Sequence, residues 1–168
     1  MLVLSIGGDR CLDETFKHLA GRRLLAEDVI PGILRKVLPG YVRVLSRVEE
    51  NPQFPFVLVS SARVSEGQSP TSDQSDILSF NIHSFCRGID ADIDAANLCW
   101  AAVNAVKDAA LRGDSVGDGQ VIVWSKLVME PLRRSDWQDA SGPVQYQDLP
   151  QFVERYEAWM RVRVIHRK

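Results

Sequence analysis

The chain is poor in the groups that staple, ligate or span. Its three cysteines, Cys11, Cys86 and Cys99, form an odd set with no C-x-x-C spacing. That pattern argues against a disulfide framework and reads as free thiols in a reducing cytosol. The three histidines, His18, His83 and His166, fall in separate segments with no H-x-x-H or H-E-x-x-H pair, so no zinc centre is predicted. No apolar run approaches the ~20 residues that a membrane-spanning helix requires. The opening MLVLSIGGDR has no basic region ahead of its short apolar run and meets Asp9 and Arg10 at once, which predicts no signal peptide. Net charge is -2 and the pI about 5.9, so there is no global positive field to hold nucleic acid.

Catalytic signatures are missing as well. There is no G-x-S-x-G and no G-x-x-x-x-G-K-[ST]. The glycine-rich GDSVGDG opens onto a strand pattern, whereas a phosphate cradle opens onto a helix. The expectation is therefore no catalytic residue, no cofactor and no metal. A Ser-His-Asp set drawn from distant parts of the chain would escape this search, because such sets are defined in space.

What is present is one domain of ordinary soluble composition. At 168 residues, 45% hydrophobic and 25% charged, it can bury roughly two-thirds of its unfolded surface and fold without a staple. The first 27 residues hold a short strand pattern (Leu2 to Ile6) and a helix-like patch in DETFKHLAGRRLLA, with no assigned role. From residue 28 onward the pattern is continuous. EDVIPGILRKVLPG predicts a helix with Asp28 as N-cap, Pro31 in the first turn and Pro39-Gly40 as its stop. YVRVLSRV alternates, and FVLVSSARV is a second strand after the turn-rich EENPQFP. SEGQSPTSDQS, without an apolar residue, predicts a long exposed loop.

DILSFNIHSF alternates cleanly, with Leu78, Phe80 and Ile82 opposite Ser79, Asn81 and His83. His83 is accordingly expected on a wet face. A helix from Asp92 or Asp94 to about Arg112 places Ala95, Leu98, Cys99, Ala102, Val106 and Ala109 on one stripe. So alanine-rich a stripe predicts close approach to a sheet. QVIVWSKLVMEP is a further strand that Pro131 should end, and LRRSDWQDASGPVQYQD reads as irregular. Tyr156, Ala158, Met160, Val162 and Val164 alternate with Arg155, Glu157, Arg161 and Arg163, which predicts a final strand. The order helix, β, β, β, helix, β, β indicates an α+β fold with a mainly antiparallel sheet packed by helices.

The D-x-D-x-D run Asp90, Asp92, Asp94 resembles the start of a calcium loop. Counted from Asp90, the obligatory glycine and bidentate glutamate positions are Ala95 and Ala101, so the loop fails. The expected role is helix capping by Asp92 or Asp94, with the other carboxylates favouring the positive end of the dipole.

Partner surfaces are the remaining signal. From Ser65 to Ala96 the acids Glu66, Asp73, Asp76, Asp90, Asp92 and Asp94 face a single base, Arg87, while RVRVIHRK at the end, with Arg161 and Arg163, is basic. Segregated charge lets identical subunits meet head to tail. Trp100, Trp124 and Trp137 are half-wet positions of the type enriched at interfaces. The interface candidates are thus Glu66, Asp73, Asp76, Asp90, Trp100, Trp124, Trp137, Arg161 and Arg163.

The order DVIPGILRKVLPG, PQFPFVLVSSARVSEG, DQSDILSFNIHSFCRG, DIDAANLCWAAVNAVKDAAL, VIVWSKLVMEP and GPVQYQDLPQFVERYEAWMRVRV resembles the tail terminator proteins of long-tailed bacteriophages, in particular those infecting actinobacteria. The likeness covers Asp28 to the C-terminus. It implies a single tail-terminator-like α+β domain over 28–168, assembled as a homo-hexameric ring. Such a ring sits on the head-proximal end of the tail tube, stops its polymerisation and offers the head-joining surface. The implied partners are other copies of the chain, the major tail tube protein, a connector or stopper protein of the neck, and genome DNA passing through the lumen unread. The implied location is the tail–neck junction of the virion after assembly in the host cytoplasm, with no membrane. The family brings no catalytic, cofactor or metal residues. Another head–tail connector protein, or a small cytosolic enzyme or ligand-binding domain, are the alternative readings.

Overall fold

The computed structural model describes residues 25–47, 49, 51–62, 75–117, 119–134 and 152–166. Among them are two helices and six strands, and their order follows the predicted one with one short strand added. The Leu2–Ile6 strand, all of the DETFKHLAGRRLLA helix but Leu25 and Ala26, and most of the Ser65–Ser75 loop lie outside the described residues.

Helix α1 spans Ala26–Val37. Its buried Ala26, Val29, Ile30, Ile33 and Leu34 recur at helical spacing, with Glu27 and Asp28 in the first turn and Arg35 and Lys36 in the last, as the dipole favours. The start differs from expectation. Leu25 is the cap residue, Asp28 lies within the first turn, and Pro31 sits in the second. A proline there removes a helical hydrogen bond. The apolar stripe that begins at Ala26, before the proline, explains why the helix nonetheless starts early. The domain boundary expected at residue 28 therefore falls inside α1. The Glu27 carboxylate receives the Ser61 N–H at 2.6 Å and the Ser61 hydroxyl, and Arg35 Nη2 donates to the Val44 carbonyl at 2.9 Å. These bonds fasten the helix to its sheet.

Strands β1 (Arg43–Leu45), β2 (Phe56–Ser61), β3 (Ser75–Arg87), β4 (Ser115–Gly117), β5 (Gln120–Arg134) and β6 (Val153–His166) form one sheet in the order β1-β2-β3-β6-β5-β4. Only β1 and β2 are parallel among the described pairs, so the sheet is mixed but mainly antiparallel. The final segment is a strand along its whole described length, as its alternation predicts. β5 runs on past Pro131, contrary to expectation. The proline falls within an irregular stretch of the β5–β6 register, between Met129 and Leu132, where the regular ladder is interrupted.

Helix α2 spans Ala91–Arg112, 22 residues or about 33 Å. Ala95, Cys99, Ala102, Val103, Val106 and Ala109 are fully buried on the sheet. The small side chains let the backbones approach, so that Ser84 Oγ reaches the Ala95 carbonyl at 2.6 Å. Gly113 closes the helix with φ 69, the left-handed cap geometry that glycine adopts most easily.

Both helices pack on the sheet face formed by Val57, Val59, Phe80, Ile82, Ala158, Met160, Val162 and Ile122. α1 touches both β1 and β4, the two edges. Six strands laid flat would hold those edges about 24 Å apart, twice the ~10–12 Å width of a helix. The sheet therefore curls around its helices. Its other face carries a smaller apolar cluster of Leu45, Phe56, Leu58, Phe85 and Val153 with Phe54 from the β1–β2 link. Phe56 and Phe85 stack there at 4.4 Å between centroids.

Candidate functional site

The second sheet face holds the one buried polar network with catalytic residue types among the described residues. His83 is only 1% exposed, where alternation placed it on a wet face. The alternation is real; what differs is that this face is also covered at His83. Leu58 of β2 and Glu157 of β6 pair with it on either side. Ser60 Oγ lies 3.0 Å from His83 Nε2, and Arg155 Nη2 lies 3.4 Å from Nδ1. Arg155 Nη2 and Arg134 Nε donate to Glu157 Oε2 at 3.0 and 3.1 Å.

These contacts decide the chemistry. A guanidinium only donates, so Nδ1 is the acceptor and the imidazole proton sits on Nε2, directed at the Ser60 oxygen. Burial, reinforced by the Arg155 and Arg134 charges, pushes the histidine down to about 3. A neutral ring that already carries its proton on the serine side cannot take the serine's proton. In this tautomer the pair acts as a joint between β2, β3 and β6.

The two thiols among the described residues are equally quiet. Burial pushes Cys86 up to about 11, aided by the Asp94 charge, and Cys99 up to about 12. A thiolate nucleophile needs the opposite shift. Two clefts flank the C-terminal end of α1. In the larger, about 610 Å³, Arg35 is committed to the Val44 carbonyl and Arg43 to Glu49 at 3.1 Å. The other, about 410 Å³, lies between Tyr41, Phe54 and Leu98.

The aspartate run is placed differently from the prediction. The cap residue of α2 is Asp90, and no side chain accepts a capping bond there; Asp92 and Asp94 lie inside the first turn. Asp92 instead accepts from the Tyr156 hydroxyl at 2.9 Å and lies 3.5 Å from Arg133 Nε. Arg133 forks onto Glu154 at 2.6 and 2.9 Å. No group of three metal-ligating side chains occurs among the described residues.

The interface candidates separate into two regions. Asp90 lies at the N-terminal end of α2, whereas Asp76 lies at the far end of β3, paired with Val164 between Arg163 and Ile165. The intervening strand puts them roughly 35 Å apart, so Asp76 and Asp90 do not share one patch. Arg161 and Arg163 belong to the second sheet face. Lys126 pairs with Arg161, Trp124 pairs with Arg163, and the Arg161 guanidinium lies 5.2 Å from the Trp159 ring. Trp159 is oriented by donating Nε1–H to Ser79 Oγ at 2.7 Å. Trp124 is 43% exposed. Trp100 lies apart, on the outer side of α2, with Lys107 Nζ 5.8 Å from its ring. Glu66, Asp73 and Trp137 lie outside the described residues.

Sequence reasoning missed three side chains at the acidic end. Ile89 is 98% exposed, Phe152 64% and Ile93 62%. Gly88 N–H donates to the Phe152 carbonyl at 3.0 Å, which brings Phe152 to the turn that leads into α2. The signal was available in GIDADIDA, where both isoleucines fall off the buried alanine stripe. Leu111, at the other end of α2, is 86% exposed. No described helix is long and apolar enough to cross a membrane. Comparison with protein-family models and with curated proteins finds no match.

Proposed function

We propose that this chain is a structural subunit of a bacteriophage virion, a tail terminator that caps the head-proximal end of the tail tube as a ring and offers the surface that joins the head. In this reading the curled sheet wrapped on two helices is a tail-terminator-like fold, and its work is assembly rather than chemistry. The supporting observation is where the large apolar side chains remain in water. Ile89, Ile93 and Phe152 stand at one end of the 33 Å helix α2, Leu111 at the other, and Tyr41 stands just beyond α1. Side chains left out in this way cost solvation and contribute nothing to the subunit's own core. A subunit that assembles with other copies and with the tube has such side chains to cover.

Purified protein mixed with polymerising tail tubes tests the proposal. Negative-stain images should show annular oligomers and tubes that stop growing at a decorated end. A protein that never decorates a tube end would sink the reading. Binding to tailless capsids instead would assign it to another neck component. Saturable binding of a small molecule in either α1 cleft would favour the ligand-binding alternative.

A further inference from the structure

The two regions that the candidates resolve into are complementary in more than charge. At one end of the sheet, Ile89, Ile93 and Phe152 are each left exposed around the turn into α2. Exposed Asp90 and Asp94 border it, and the Asp92–Arg133–Glu154 cluster closes one side. At the other end, on the second sheet face, Lys126, Arg161 and Arg163 form a basic surface, with Trp124 paired to Arg163 and the Arg161 guanidinium over the Trp159 ring. Measured along β3, the row holding Arg87 and Val153 lies about 20 Å from the row holding Asn81 and Trp159 and about 33 Å from the row holding Ile77 and Arg163. The two surfaces cannot overlap.

We infer that the tryptophan–arginine face of one copy receives the isoleucine–aspartate end of α2 of a second copy, head to tail. Two different patches on one chain define a heterologous contact, and such contacts close into rings or continue as filaments. An isologous dimer would instead need one self-complementary patch, and each surface here carries mainly one sign of charge. A nucleic acid would also suit tryptophans bordered by arginines. The second copy is favoured because the chain itself bears the matching apolar–acidic surface, and its net charge of -2 repels a polyanion. Phe152 adds to the case: it holds φ 67, a left-handed backbone that costs a non-glycine residue energy, while presenting its ring to solvent. The inference rests on the ring reading and deepens it by naming the faces that meet.

The test uses two full-length variants with altered surface residues, a face variant (Arg161→Gln with Arg163→Gln) and an end variant (Ile89→Asn with Ile93→Asn). Each is first checked for wild-type melting. Sedimentation velocity at low salt should show the wild type assembling. Each variant alone should stay monomeric at a protein concentration at which the wild type is mostly assembled, at least tenfold weaker in self-association. An equimolar mixture should stop at two chains, since one intact face and one intact end make a single junction. High salt should weaken wild-type assembly. A wild type that stays monomeric at every concentration overturns the inference. Variants that assemble like the wild type overturn these faces while leaving a ring built on others. Mixtures that stay monomeric overturn the head-to-tail geometry. A single-stranded oligonucleotide bound by the wild type and lost in the face variant would assign that face to nucleic acid instead. Decoration of tube ends is scored separately, so failure here and failure of the terminator reading are distinguishable.

Discussion

Buried His83 makes folding stability depend on pH in a calculable way. Its pKa is about 3 in the folded chain against 6.5 when unfolded. Between those values the unfolded chain holds a proton that the folded chain refuses, so stability rises with pH. The contribution is fully present above about pH 6.5, is lost progressively as pH falls, and stops changing near pH 3. Each unit in that window is worth about 1.4 kcal/mol, so lowering the pH from 7 to 5 removes about 2 kcal/mol through this one residue. Urea unfolding at both pH values measures the total change, to which carboxylates also contribute. His83→Gln isolates the histidine, because the amide can accept from Arg155 and donate to Ser60 without titrating. The wild type should lose about 2 kcal/mol more than the variant over the interval. Equal losses in the two proteins, or a His83 ring resonance that titrates near pH 6.5 in the folded state, would refute the burial and the hydrogen-bond assignment together.

Three further outcomes follow from the packing and the thiols. Ala102→Leu, on the fully buried stripe of α2, should destabilise by about 1–3 kcal/mol through overpacking, while Ala101→Leu on the exposed side should change stability by less than about 0.5 kcal/mol. Similar urea midpoints for the two would mean that α2 does not pack closely. Iodoacetamide at pH 8 should leave Cys86 and Cys99 unlabelled in the native protein and alkylate them only as urea unfolds it; peptide mapping that finds both modified in native buffer would contradict their raised pKa values. The melting temperature should be unchanged by calcium, magnesium or chelator. A rise of several degrees with calcium would mean that Asp90, Asp92 and Asp94 gather around an ion after all.

Much of the element order was legible because each long element satisfies its own period. The 3.6-residue stripe of α2 and the two-residue alternation of β3 and β6 come from solvent on one side and core on the other, and that contrast is written directly in residue type. Short or edge elements carry less of it. β4 has three residues and is a strand only because β5 lies beside it. α1 begins before Pro31 because the sheet buries its first apolar residues, which overrides the local preference for a proline near the start. Pro131 stays within β5 because the irregular register there interrupts the ladder. In each case a neighbour distant in sequence decided the outcome.

The site shows the same division. Residue types and spacing were enough to argue against a calcium loop, a zinc centre and a phosphate loop, since those chemistries need particular ligands at particular intervals. They also marked the second face of β3 as polar. That this face is covered at His83, with Arg155 and Glu157 of β6 and Ser60 of β2 closing on the ring, followed only from strand pairing across more than 70 residues. The acid-rich run likewise belonged to the sequence, but whether it formed one patch did not. Thirteen residues of β3 put Asp76 and Asp90 at opposite ends, and Ile89, Ile93 and Phe152 stay in water at one of them. The sequence by itself determined the periods and the absent motifs, because these are local properties of side chains. Tertiary structure alone decided which charges are neighbours and which apolar groups stay uncovered, because proximity and burial arise only when distant segments pack.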